Sequence, residues 1–207
     1  MAQAALKTRG DRRREAIIAV AREIFLLHGY GAASMSAIAA AVGGSKATLY
    51  SYFKTKADLF GEVVRNTSED HDDDPAFDPD LDAPLGPVLT RVGEKMLRLI
   101  CRPQTVALYR VVIAEAGRFP EVGEAFFRAG PQVKIERLTA RIAHAMQAGR
   151  IRDGDPELAA QQFVSLCRAR LHQNMLWGVG PAPTDVQVQD EVAGAVRLFL
   201  AGYAPNA

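Results

Sequence analysis

The chain has 207 residues, 48% of them hydrophobic and 24% charged, with a formal net charge of +1; that balance excludes a disordered chain and predicts a buried core. No apolar run approaches the roughly 20 residues that a bilayer crossing needs, and "MAQAALKTRGDRRRE" lacks the apolar centre of a secretory signal, so the chain reads as cytoplasmic, with no membrane partner. Cys101 and Cys167 match no CxxC or other metal-ligand spacing, which leaves them as small apolar core residues with no metal or cofactor expected.

The +1 conceals an asymmetry. Residues 1–65 carry 10 Lys and Arg against 5 Asp and Glu, a balance of +5, whereas residues 66–207 carry 15 against 19, a balance of −4. One part is suited to a polyanion and the other is not. Lys7, Arg9, Arg12, Arg13 and Arg14 read either as a flexible basic arm or as a plain solvated terminus.

In chain order, about Arg12 to His28 sets Ile17, Val20, Ala21, Ile24 and Leu27 on one face, with Gly29 as a stop. Ser34 can cap a short second helix that turns Ile38 and Val42 inward. Gly43-Gly44 makes a turn and Ser45 can cap a third helix. Thr55 with Asp58 resembles a capping box opening a fourth, which carries Leu59, Val63 and Val64. From Ser68 to Pro84, "SEDHDDDPAFDPDLDAP" holds eight acidic residues, three prolines and no lysine or arginine, and reads as a solvated linker; the calcium-loop spacing is absent. Beyond it, helical patterns fall near Pro87–Ile100, Thr105–Ala116, Glu121–Ala129, Gln132–Ala148, Pro156–Gly178 and Asp185–Ala201. Asp155-Pro156 supplies an N-cap and a first-turn proline, and Thr184 with Gln187 makes another capping box. No period-2 strand stands out. The expected fold is all-α: an N-terminal three-helix helix-turn-helix domain, residues 1–66, joined to a larger C-terminal helical bundle, residues 67–207, with about nine to ten helices.

On the wheel of the third helix, Leu49 and Phe53 share one face, with Tyr52 and Ser45 beside it, while Ala47 and Ser51 point away, flanked by Tyr50 and Thr48. A helix anchored by two apolar residues and presenting small polar side chains can enter a major groove, and the two-helix unit with a tight turn has the form that reads base edges. Lys46 suits a guanine edge, Thr48 can donate or accept, and Ala47 can meet a thymine methyl. Tyr50, Tyr52, Lys54 and Lys56 suit phosphates, Lys56 together with backbone N–H groups at the start of the fourth helix. With Ser34, Ser36, Ser45 and Ser51, these form the expected DNA-contact set. The same residues also fit a plain amphipathic surface helix.

The segment "GYGAASMSAIAAAVGGSKATLYSYFKTKADLF" resembles, nearly position for position, the DNA-binding domain of the TetR family of transcriptional regulators. The likeness runs from about Arg12 to Val64 and rests on Gly29-Tyr30, Ile38-Ala39, Gly43, Ser45, Thr48-Leu49-Tyr50, Phe53 and Lys56. It implies a homodimer on a near-palindromic double-stranded operator, usually as a repressor, released when a small molecule enters the C-terminal domain. Three positions depart from the family pattern: Ala33 for a frequent threonine, Gly44 for a more usual apolar residue, and Ala47 for a frequent glycine. Operator sequence is therefore not transferable.

"RPQTVALYRVVIAEAGRFPEVGEAFFRAGP" with "DPELAAQQFVSL" looks like the AefR-like branch of TetR C-terminal domains. The likeness implies that the last two helices pair with their copies, with Phe163, Leu166, Leu171, Val192, Val196, Phe199 and Leu200 available for packing. For an effector, Met96, Tyr109, Ile113, Phe126, Phe127, Met146, Phe163, Met175 and Trp177 could line an apolar cavity with His144 or His172 as a polar handle, or could equally be core. Two other readings stay open. One is a DNA-binding protein without an effector, and the other is an all-helical enzyme, against which stands the absence of a GxSxG, P-loop, HExxH or dinucleotide glycine cluster. The reading adopted is a ligand-released, homodimeric DNA-binding regulator and not an enzyme.

Overall fold

Helix-start residues carry the local architecture. In the computed structural model, which describes residues 8–68 and 81–205, Ser34 and Ser45 accept hydrogen bonds from Ala37 N and Thr48 N. Thr55 and Asp58 exchange a reciprocal pair at 3.0 Å, and Asp155 receives Glu157 N and Leu158 N. Thr184 and Gln187 close a full capping box. Each satisfies N–H groups that a helix start leaves without an intrahelical partner. Among the described residues there are eleven helices and no strand: α1 (Arg9–Ala32), α2 (Met35–Ala41), α3 (Lys46–Tyr52), α4 (Lys56–Ser68), α5 (Leu85–Ile100), α6 (Pro103–Glu115), α7 (Pro120–Ala129), α8 (Pro131–Gln147), α9 (Pro156–Arg168), α10 (Leu171–Trp177) and α11 (Asp185–Gly202). The all-α expectation holds. The acidic stretch expected as a linker lies mostly outside the described residues.

Two boundaries differ from expectation. Gly29 does interrupt α1, at φ +79°, a backbone region that L side chains rarely adopt, but one further helical turn follows it to Ala32. The helix expected over Pro156–Gly178 is two helices. Arg170 leaves helical geometry at φ −122°, and the Glu191 carboxylate from α11 accepts Arg170 N at 3.0 Å and Leu171 N at 3.3 Å, so α10 starts afresh.

The described residues group into two compact units, the first holding 8–68 and 107–130 and the second holding 81–106 and 131–205. In the first, α1, α2, α3 and α4 close over Ile17, Ile18, Phe25, Ile38, Leu49, Phe60 and Val63, joined by Leu108 of α6 and Val122 and Phe126 of α7. Its centre is aromatic. Phe60 meets Phe25 and Tyr30 edge-on at 5.2 and 5.6 Å, and Phe119 meets Tyr30 at 5.7 Å, spacings at which ring quadrupoles attract. In the second unit α5, α8, α9 and α11 pack together, burying Leu89, Leu97, Ile142, Phe163, Val192 and Phe199. No helix among the described residues is long and apolar enough to cross a membrane.

Candidate nucleic-acid interface

The turn between α2 and α3 is set by hydrogen-bond arithmetic at the end of α2. Gly43 takes φ +70°, and Gly43 N and Gly44 N donate back to Ala40 O and Ala39 O at 3.0 and 2.9 Å. This is the pattern by which a left-handed glycine closes a helix and satisfies two of its last carbonyls. Arg13 of α1 reaches across to two carbonyls further on: Nη1 donates to Val42 O and Nη2 to Gly43 O, both at 3.2 Å.

Within α3 the wheel holds. Leu49 and Phe53 are buried, while Lys46, Ala47, Thr48, Tyr50 and Ser51 are exposed, as is Lys54 just beyond. The Lys46 ammonium lies 5.8 Å from the Tyr50 ring centroid, so a cation and an aromatic share the outward face. Ser45 Oγ and Thr48 Oγ1 are 2.9 Å apart, and Ser51 Oγ donates to Thr48 O at 2.7 Å. Ser34 and Ser36 are exposed at the start of α2. Tyr52 is half-buried against the core, beside Phe53 at 6.4 Å.

Lys56, expected to face phosphate, is engaged within the protein. Its ammonium donates to Tyr30 O at 2.7 Å and Ala33 O at 3.0 Å and sits 4.1 Å from the Tyr30 ring centroid. Burial lowers its pKa, opposed by Glu121 and Glu115. Tyr30 in turn donates to Glu121 Oε1 at 3.3 Å, and burial, then Glu121, push its pKa up. The lysine ties the start of α4 to the end of α1, because carbonyls left over where α1 breaks need a donor.

The basic residues read as an arm or a solvated terminus are helical where described. Arg9, Arg12, Arg13 and Arg14 are the first turns of α1, opened by a capping box between Thr8 and Asp11; Lys7 lies outside the described residues. Arg14 pairs with Glu62 and lies 5.4 Å from the Phe53 ring centroid. Sequence reasoning missed the internal roles of Arg13 and Arg14, whose partners are 29 or more positions away. The unusual glycine at 44 was the available signal: a Cβ there would come within 2.5 Å of Arg13 Nη2.

The expected effector residues fall in both units. Tyr109, Ile113, Phe126 and Phe127 belong to the first unit and the others to the second. Phe163 is core, edge-on to Phe199 at 5.5 Å, and Phe126 is core against Tyr109 at 4.7 Å. Ile113, Phe127 and Trp177 are 66%, 48% and 70% exposed and line no interior of their units. His144 Nε2 lies 3.1 Å from Asp82 Oδ1, and that hydrogen bond holds the Asp82 carboxyl below its usual range. His172 is buried, with Nδ1 accepting from Arg168 Nε at 3.4 Å; burial, then Arg168, lower its pKa to about 4. Met96 and Met175 are half-buried and Met146 is buried. Of the residues named as available for packing in the last two expected helices, Phe163, Leu171, Val192, Val196 and Phe199 are buried within the protomer, leaving Leu166 and Leu200 half-buried. Burial pushes the Cys101 and Cys167 thiols up to about 11 and about 12, as for core residues.

Residues 17–63 match the family described as bacterial regulatory proteins, tetR family, and residues 87–205 match the AefR-like transcriptional repressor C-terminal domain. The chain is 25% identical over 195 residues to the HTH-type transcriptional regulator YhgD of Bacillus subtilis (strain 168), covering 91% of this chain and 94% of that protein. Among solved structures, the flavonoid-responsive regulator FrrA superposes with a TM-score of 0.77 at 32% identity, over 95% of this chain and 99% of its own. A TetR-family regulator from Mesorhizobium loti MAFF303099 gives 0.74 at 26%, over 96% and 100%.

Proposed function

We propose a mechanism that starts from what the chain is, a member of the TetR family of bacterial transcriptional regulators and so a DNA-binding protein of the repressor type. Two copies pair on a near-palindromic operator on the chromosome, in the cytoplasm, and each seats α3 in the major groove. The observation that carries this reading is the division of α3 into a buried side, Leu49 and Phe53, and an exposed side of Lys46, Ala47, Thr48, Tyr50 and Ser51. Small side chains at 47 and 51 let the backbone approach base edges, Lys46 takes a guanine, and Tyr50 and Lys54 take phosphates. In a two-fold dimer the two α3 helices then lie about 34–36 Å apart, or a multiple of it.

Release follows when an apolar or amphipathic small molecule binds the second unit better in an arrangement that spreads the readers. The shift can be no larger than the ligand's preference for that arrangement. Two observations support an effector of this kind: a 32% identical relative carries the name flavonoid-responsive regulator, and Met96, Met146, His172 and Met175 give the second unit adaptable apolar side chains with one neutral imidazole.

Gel shifts against DNA upstream of the protein's own gene, with an unrelated duplex as competitor, test the first part. Lys46→Ala should relax discrimination at one base pair per half-site by about 1–3 kcal/mol; an equal loss across all operator variants would make Lys46 a phosphate contact. Titrating aromatic ligands while following Trp177 fluorescence and operator release tests the second. Binding with unchanged DNA affinity would leave an effector-independent DNA-binding protein.

A further inference from the structure

We infer that Arg13 is a positioning residue for sequence reading: its guanidinium, housed over Gly44, sets the angle at which α3 leaves the turn. The inference rests on the reading above, in which α3 enters the groove, and adds a residue that itself touches no DNA.

Three observations converge. The turn ends α2 with a left-handed glycine that uses the carbonyls of Ala39 and Ala40 and leaves those of Val42 and Gly43 open to a side-chain donor. Arg13 supplies it from α1 with two N–H groups of one planar fork, both at 3.2 Å. A rigid fork on two consecutive carbonyls fixes the peptide plane between them in a way that a single point charge cannot. The cation also sits at the negative end of α2.

The second observation is Gly44. Its backbone is outside the left-handed region, so no conformational need for glycine exists there, and the atoms an added Cβ would meet are Arg13 Nη2 at 2.5 Å and Cζ at 3.7 Å. A Cβ at this position would displace the flexible end of Arg13, so glycine leaves the guanidinium its place on the turn. The third is the surroundings: Arg13 borders a shallow gap between α1, α2 and α3, together with Ile17, Ala39, Val42, Thr48 and Leu49. Without the Arg13 fork, the turn loses the side chain that ties it to α1. A shift of the turn moves Lys46 and Ala47, the first residues of α3, relative to base edges.

The consequence is a coupling between two residues that no direct DNA contact would produce. Gly44→Ala keeps every Arg13 atom but pushes the fork off its carbonyls, and Arg13→Ala removes the fork and leaves Gly44 with space. Wild type, R13A, G44A and the double variant would be titrated with a duplex selected by the wild-type protein from a random pool, and with a scrambled duplex of the same length, over a salt series. Circular dichroism melts would confirm that each is folded at the assay temperature. The expected result is that R13A and G44A each lose about tenfold in the ratio of selected to scrambled affinity, the middle of the range for coupled residues. The double variant should lose no more than R13A alone, and the salt slope on the scrambled duplex should stay unchanged throughout.

Additive losses in the double variant would overturn the shared clamp. A uniform loss on both duplexes with a slope lower by about 0.9 would make Arg13 a phosphate contact instead. If wild type shows no preference between duplexes, the α3 reading itself fails, a result distinct from both because it appears before any substitution.

Discussion

The Lys56 ammonium, within 3.0 Å of two carbonyls and 4.1 Å from the Tyr30 ring, makes a testable distinction between a cation that holds the protein together and one that holds DNA. Lys56→Ala leaves Tyr30 O and Ala33 O without this donor, an expected cost of about 1–3 kcal/mol in urea unfolding. The salt slope of DNA binding should be unchanged; flattening by about one unit would return Lys56 to the phosphates. His172 carries a second expectation. With its pKa lowered to about 4 in the fold from 6.5, the unfolded chain binds a proton between those pH values that the folded chain refuses. Stability therefore falls as pH drops from 6.5 to about 4, by up to about 3 kcal/mol, and this contribution levels off below. His172→Gln should remove that part of the slope in urea melts across the window. An identical slope in the variant would assign the acid sensitivity to other groups. The Lys56 case also marks how far a residue's type reaches. A lysine at a helix start suits phosphate by charge, but where α1 breaks at Gly29 the leftover carbonyls compete for it, and only the folded chain brings them within reach.

Helix α10 owes its start to a partner in α11. Glu191 accepts two backbone N–H groups at Arg170 and Leu171 and also receives the Arg170 guanidinium. Glu191→Ala should cost about 1–2 kcal/mol and speed amide exchange in α10, whereas Glu191→Gln, which keeps an acceptor oxygen, should recover most of the loss. An unchanged unfolding midpoint in Glu191→Ala would show that water caps α10 equally well. The contrast with the other helix starts is instructive. Thr55 with Asp58, Asp155 with Glu157 and Leu158, and Thr184 with Gln187 are readable because the capping oxygen and the N–H that donates to it lie within three residues of each other. The break at Arg170 is not, because its cap lies 20 residues or more along the chain and the apolar pattern runs through the break without interruption. The end of α2 falls between these cases. Gly43-Gly44 announces a turn, yet only the fold shows that one glycine serves the backbone and the other makes room for Arg13.

At the scale of the molecule, the second unit leaves large apolar side chains in solvent that its own core does not use: Trp177 at 70%, Leu198 at 65% and Val186 at 64% exposed. A chain that pairs with its copy through this unit covers such surface. Leu198→Glu should then yield a monomer in sedimentation velocity and sharply weaken binding to a two-half-site operator while sparing the fold by circular dichroism. A variant that remains dimeric would move the interface elsewhere. Of the apolar residues of α9 and α11 that the sequence left open between core and interface, Phe163, Val192, Val196 and Phe199 are buried in the protomer. The sequence by itself determined the all-α class, most of the caps, the turn between α2 and α3, and the buried and exposed sides of α3, because each depends on residues within a turn or two of one another. It also carried the family, through a run of matched positions in the DNA-reading segment. The tertiary structure decided which cations are internal ties, which apolar residues are core, and that 107–130 joins the first unit. Those outcomes depend on groups far apart in the chain: an apolar periodicity marks a side to be covered without naming what covers it, and a charge marks a need for a partner without saying which.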